Sequence, residues 1–228
     1  MTPGTVRDAA PTALDAAALD VAALDRVAAR LADVVGARWV RRRPSELRVY
    51  DSDGLPGYHR QPALAVFPGT RDEVIAVVRA LAAEGAPFVA RGAGTGLSGG
   101  ALADGVVIVG LNRLTRIVSI DAENRLAVVE PGVVNVNLTR ETAPHGLHYA
   151  PDPSSQTACT IGGNVAENAG GPHCLKYGVT LNHIAAASSE SKSASSVRTA
   201  CGSRASRTVT SSAMPKHPSL PMKAPNRS

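Results

Sequence analysis

Cysteine is scarce in this 228-residue chain: Cys159, Cys174 and Cys201 make neither a CxxC pair nor an even set for a disulfide framework. With no secretory n-region and h-region at the N-terminus, a reducing cytoplasm is the expected compartment. No metal-ligand spacing is visible either. Long apolar runs are missing too, since stretches such as Val106 to Leu111 fall far short of the roughly 20 residues a membrane helix needs. Aromatics are only 3% of the chain, and none interleaves with Arg41-Arg42-Arg43, so that cationic run reads as a solvated edge.

The formal net charge is +5, but it is unevenly placed. Residues 1–187 hold 17 Lys+Arg against 18 Asp+Glu, whereas residues 188–228 hold 7 against 1. Lysine is almost absent from the first stretch, where Lys176 stands alone beside 16 Arg, and serine rises from six residues over 1–187 to twelve over 188–228. The end of the chain also carries Pro215, Pro218, Pro221 and Pro225 and no periodic apolar pattern. Such a segment cannot bury enough surface to offset its chain entropy and is expected to be disordered.

What is present begins, after a loose leader over 1–12, with Leu24, Val27, Leu31 and Val34 at spacings of three and four. That spacing predicts an amphipathic helix ended by Gly36, with 1–35 as leader and helix together. From Gln61 onward, Ala63 to Phe67 predicts a strand, Pro68-Gly69 a turn, and Thr70-Arg71-Asp72-Glu73 a capping box opening a helix. Gly85 and Pro87 stop that helix, and Phe88 to Ala90 is the next strand, the length of one βαβ unit. Val106 to Val109, Ile117 to Ile120 and Leu126 to Glu130 are further strands, and a short helix is expected over 136–143. The fold class is α+β, without plain alternation.

Gly94-Thr95-Gly96-Leu97-Ser98-Gly99 matches GxGxxG after a strand, which suggests a Rossmann dinucleotide site. That motif requires a helix to open at the loop and an acid about 20 residues on. Ala101 to Gly105 is too short for the helix, and Asp121 lies in a turn, so the Rossmann reading fails. A glycine-dense loop can still cradle phosphate by pointing successive N–H groups inward, and glycine permits the close approach. Thr95 and Ser98 offer hydroxyls, while Arg91 could neutralise charge or brace the loop. A second glycine segment, Thr160 to Gly171, is preceded by Pro151-Asp152-Pro153-Ser154-Ser155 and reads as another backbone-exposing loop. Two such loops suggest two walls around one large polar cofactor.

Three blocks carry a specific resemblance: PALAVFPGTRDEV at 62–74, RGAGTGLSGG at 91–100 and DPSSQTACTIGGNVAENAGGPHCLKYGVTLNHI at 152–184. Together they resemble the FAD-binding PCMH-type domain of the vanillyl-alcohol-oxidase flavoproteins, and within them the flavin subunits of the bacterial glycolate-oxidase and D-lactate-dehydrogenase type. The similarity covers residues 36–184. It implies an FAD held by two α+β subdomains without a Rossmann fold. By match to the motifs, Arg91, Gly92, Ala93, Gly94, Thr95, Gly96, Ser98 and Gly99 would wrap the pyrophosphate. Pro151, Asp152, Ser155, Thr160, Gly162, Gly163 and Asn164 would line the flavin and ribityl side.

Relatives with covalent flavin place a His in the first loop, where Gly94 and Thr95 stand here, so non-covalent FAD is implied. The resemblance further implies oxidation of a small 2-hydroxy acid by hydride transfer to flavin N5, an iron–sulfur subunit and a second flavin-type subunit as partners, and a cytoplasmic place, peripheral at the inner membrane. In the family the groups that take the substrate, including a His cluster able to hold a metal, come from a later cap domain. His145, His148, His173 and His183 are therefore read as structural or near-flavin, Cys159 and Cys174 as packing residues, and no catalytic or metal residue is assigned.

After Ile184 the family pattern stops. Residues 185–228 are expected to be a disordered, Ser/Pro-rich basic tail, an out-of-frame read-through that replaces the remaining FAD domain and the cap. Two other functional classes stay open at this point: a catalytically inert FAD-binding fragment, and a nucleic-acid binder acting through its basic tail.

Overall fold

The computed structural model describes residues 19–55, 57–188 and 196–199, and the chain divides into two compact units, one up to Thr115 and one from Arg116 onward. The leader over 1–12 and most of the basic tail lie outside the described residues.

In the first unit, helix α1 (Val21–Val35) opens where the Asp20 carboxylate accepts from the Ala23 amide and closes at Gly36, φ +83°. Its stripe of Val27, Ala28, Leu31 and Val35 is buried, as the spacing requires. Strand β1 (Val40–Arg41), the short helix α2 (Pro44–Leu47) and β2 (Leu64–Val66) follow. Helix α3 (Arg71–Ala83) is capped by Thr70, whose hydroxyl accepts from the Glu73 amide at 3.1 Å. The Glu73 carboxylate reaches back one residue further than a capping box expects, to the Gly69 amide at 2.6 Å. Strands β3 (Phe88–Arg91) and β4 (Val107–Gly110) complete the unit.

The sheet order is β1-β2-β4-β3, with β4 parallel to both neighbours and β1 antiparallel to β2. The strand–helix–strand unit is thus split: α3 joins β2 to β3, but β4 lies between them. Leu64, Val66, Val107 and Val109 face α1 and α3, while Ala65, Phe67 and Ile108 face a second cluster with Leu47, Ala103 and Val106. Burial on both faces explains why β2 and β4 read as unbroken apolar runs.

In the second unit, β5 (Ile117–Asp121) and β6 (Leu126–Val129) pair antiparallel around a turn in which both oxygens of Asp121 accept from Asn124. Helix α4 (Asn135–Thr142) starts one residue earlier than its spacing suggests. Two further helices are α5 (Ile161–Glu167) and α6 (Cys174–Tyr177).

Past Ile184 the described residues form two strands, β7 (Ala185–Ser188) and β8 (Ser196–Thr199), and the sheet order is β5-β6-β8-β7, all antiparallel. Both lie inside the segment read as structureless. Ladder hydrogen bonds use the backbone alone, so small and polar residues can extend a sheet edge that composition would not suggest. The disorder expected for residues 189–195 and 200–228 falls outside the described residues. Among the described residues no helix is long and apolar enough to cross a membrane.

Candidate functional site

The glycine loop of the first unit leaves β3 at Arg91. No helix opens between Gly92 and β4, consistent with the failure of the Rossmann spacing. Arg91 is buried, and its guanidinium donates to the carbonyls of Ser52 at 2.7 Å, Ala101 at 2.9 Å and Tyr50 at 3.5 Å. Of the two roles open to it, the side chain takes the bracing one. Burial pulls its pKa down, opposed by the nearby carboxylate of Asp53.

The segment around Asp53 is the part that sequence reasoning missed. Asp53 accepts from the Gly99 amide at 3.0 Å, and the Gly54 amide donates to the Gly96 carbonyl at 2.8 Å. A Cβ on Gly54 would stand 2.6 Å from the Thr95 carbonyl oxygen. This strap and Arg91 hold the loop from opposite ends. The Asp51-Ser52-Asp53-Gly54 run was a turn signal, but nothing local says what it packs against.

Gly94 and Gly99 take left-handed backbone, φ +68° and +79°. A Cβ on Gly94 would fall on the Arg91 guanidinium. Between these two glycines, the amides of Gly94, Thr95, Gly96, Leu97 and Ser98 have no acceptor among the described residues. Ala93 and Ser98 are exposed, while Gly92, Thr95 and Gly96 are half-buried. Successive free N–H groups next to left-handed residues make an anion-binding nest.

In the second unit the segment Thr160 to Gly171 does not stay a loop: Ile161–Glu167 is helical. Two adjacent glycines are costly in a helix, about 1 kcal/mol each against alanine, which is why the sequence suggested otherwise. Tertiary contacts override that cost. The Thr160 hydroxyl accepts from the Gly163 amide at 3.3 Å, and Thr160 bridges Val134. Gly162 lies so close to Pro131 that a Cβ would stand 2.6 Å from the proline Cβ, and its amide donates to the Pro131 carbonyl at 2.8 Å. Glycine serves here for helix packing.

Pro151 is buried, and its carbonyl accepts from Asn135 Nδ2 at 3.0 Å. Ser155 is half-buried, with its carbonyl accepting from the Ala158 and Cys159 amides at 2.8 Å. Asp152 Oδ2 lies 2.5 Å from His173 Nδ1, and Gly171 packs directly on Asp152. Asn164 is buried, and its Nδ2 has no partner among the described residues. Asp152 and His173 line a cavity of about 390 Å³, together with His148, Tyr149, Gln156 and Tyr177. Burial pushes the Tyr149 phenol pKa up, partly offset by a hydrogen bond with Thr180. His145 sits in a short 3-10 turn, and His183 is buried with its pKa lowered by desolvation.

In the first unit the left-handed, glycine-walled amide nest suits an anionic group, and in the second the buried, unsatisfied Asn164 amide suits a polar neutral one. The comparison with known families agrees: residues 62–189 match the family model described as FAD binding domain. The chain belongs to this FAD-binding family. FAD is accordingly the cofactor of the domain.

Glycolate oxidase subunit GlcD of Escherichia coli (strain K12) is 50% identical over 141 residues, which are 61% of this chain and 28% of that protein. D-lactate dehydrogenase of Anaerostipes hadrus is 38% identical over 127 residues, 55% of this chain and 26% of that protein. Among solved structures, 4-ethylphenol oxidase from Gulosibacter chungangensis superposes with a TM-score of 0.59 at 24% identity, covering 67% of this FAD-binding chain and 30% of that one. This last likeness shows the α+β fold. The chain spans under a third of the length of these relatives.

Proposed function

We propose that the chain is the FAD-holding part of an oxidoreductase that converts a 2-hydroxy acid of the glycolate or D-lactate type to the 2-oxo acid. The observation that carries the cofactor half of this reading is the run of five amides, Gly94 to Ser98, without an acceptor among the described residues. They are suited to the pyrophosphate, with Thr95 and Ser98 adding hydroxyls and Gly92, Ala93 and Gly99 shaping the turn. Arg91 acts here by fixing the loop, since its donors already serve backbone carbonyls. Pro151, Asp152, Ser155, Thr160, Gly162, Gly163 and Asn164 take the flavin and ribityl side, where the Asn164 amide supplies a donor.

FAD, when bound, supplies a hydride acceptor at N5. Attachment is non-covalent, because Gly94 and Thr95 occupy the place of the linking His. The substrate class rests on the names of the relatives, and the word subunit in one of them supports an assembly with partner subunits, for which an iron–sulfur subunit and a second flavin-type subunit are our assignment. A cytoplasmic place, peripheral at the inner membrane, accords with the free thiols of Cys159 and Cys174.

The test is to purify the full chain and record its flavin absorbance, then add glycolate or D-lactate without oxygen. Retained flavin is expected, and its bleaching by either acid is the outcome that supports the proposed oxidation. Folded protein that takes up no FAD would overturn the cofactor reading. Flavin that stays yellow with both acids would reject the proposed oxidation and leave a chain that only holds FAD.

A further inference from the structure

Asn135 was singled out by no motif, yet its side chain is one of the most enclosed polar groups of the second unit. It opens α4 at 1% exposure. Its backbone amide donates to the Cys159 carbonyl at 2.9 Å, and its Nδ2 donates to the Pro151 carbonyl at 3.0 Å. A carbonyl can only accept, so the orientation of the Asn135 amide is fixed by its partner. That leaves Oδ1 as a buried acceptor, and it has no partner among the described residues.

A second amide with an unmet need hangs from the paired segment. Val134 bridges Thr160, and Asn164, 2% exposed, donates its backbone amide to the Thr160 carbonyl at 2.9 Å. Its Nδ2 is likewise without a partner among the described residues. An unmet buried polar group is costly, and such groups persist where something else satisfies them. Here one acceptor and one donor are carried by two directly bridged segments, and neither satisfies the other.

We propose that Asn135 is a cofactor-positioning residue: Nδ2 holds the Pro151 carbonyl at the head of the Pro151–Ser155 segment, and Oδ1 accepts a hydrogen bond from the ligand. This rests on the FAD reading above. The ligand chemistry required is a hydroxyl or imide N–H for Asn135 Oδ1 and an oxygen for Asn164 Nδ2. The ribityl chain and the pyrimidine edge of a flavin both carry such groups.

The test titrates FAD into the full apo chain, following the quenching of flavin fluorescence, beside urea unfolding of each apo protein. Asn135→Leu, which removes both donor and acceptor at similar volume, is expected to weaken FAD binding at least tenfold. The exposed neighbour on the same helix, Asn137→Ala, is expected to leave it unchanged. Should Asn135→Leu fail to fold, the isosteric Asn135→Asp carries the test with the same tenfold expectation, because it releases and repels the Pro151 carbonyl. A folded Asn135 variant whose affinity falls less than tenfold, whatever its urea midpoint, overturns the proposal and assigns Asn135 a structural role alone. Wild-type protein that is folded and does not bind FAD overturns the cofactor reading, and this inference with it.

Discussion

Replacing Gly94 by alanine tests the central feature of the first unit, that one arginine and one left-handed glycine shape the loop together. At φ +68° an L-residue pays about 1–2 kcal/mol in backbone strain. The new Cβ also falls on the Arg91 guanidinium, which must then leave at least one of its carbonyl partners on Ser52, Ala101 and Tyr50. A hydrogen bond from a charged group is worth about 1.5–3 kcal/mol, so the loss totals roughly 2.5–5 kcal/mol. That is a large part of the about 5–15 kcal/mol that holds a typical domain together. Urea unfolding of the apo chain, followed by circular dichroism, measures it directly. Gly57→Ala is the control, since a Cβ there meets nothing within 4 Å. A double-mutant cycle with Arg91→Ala sharpens the test: removing the guanidinium removes the clash, so the double variant should lose at least about 1 kcal/mol less than the sum of the singles. A Gly94→Ala loss under about 1 kcal/mol, or strict additivity with Arg91→Ala, would refute the bracing geometry.

Two further outcomes follow from the second unit. Thr160→Ala removes the hydroxyl that caps α5 and should cost about 1 kcal/mol of stability in the same urea assay, with Thr160→Ser recovering most of it. His183 has its pKa lowered from the ordinary 6.5, first by desolvation, with hydrogen bonds to the Gly178 and Tyr177 backbone partly opposing. The unfolded chain therefore binds this proton at a higher pH than the folded one. Stability is unaffected by His183 above pH 6.5 and falls as the pH drops from 6.5 toward the folded pKa. Urea midpoints between pH 8 and about 5 should decline less steeply for His183→Gln than for wild type, and parallel curves would exclude this residue as the source.

Most elements of the fold were legible because their signals are local. The spacing of Leu24, Val27 and Leu31 gave α1, Thr70 and Asp72-Glu73 gave the start of α3, and Gly85 took the left-handed turn at its end, φ +62°. Illegible were features set by partners far along the chain. Arg91 finds its acceptors 39 to 41 residues upstream and 10 downstream, and Asp53 meets Gly99 across 46 residues. The Gly162-Gly163 pair looked like a loop, and only the backing of Pro131 and the Val134 bridge made it a helix. Asn135 looked like an ordinary polar residue of a helix, and only its burial exposed the unmet acceptor.

The sequence by itself determined the class of fold, the absence of a helix after the first glycine loop, and the motif blocks that place the chain among FAD-binding domains. Periodicity, caps and glycine density act within one or two turns of backbone and need no distant partner. Only the tertiary structure decided that β4 separates β2 from β3, that Arg91 is a brace, and that a sheet continues through β7 and β8 where composition had changed class. Strand order, burial and backbone pairing depend on which distant segments meet, and the energy of those meetings is not written in any one stretch of residues.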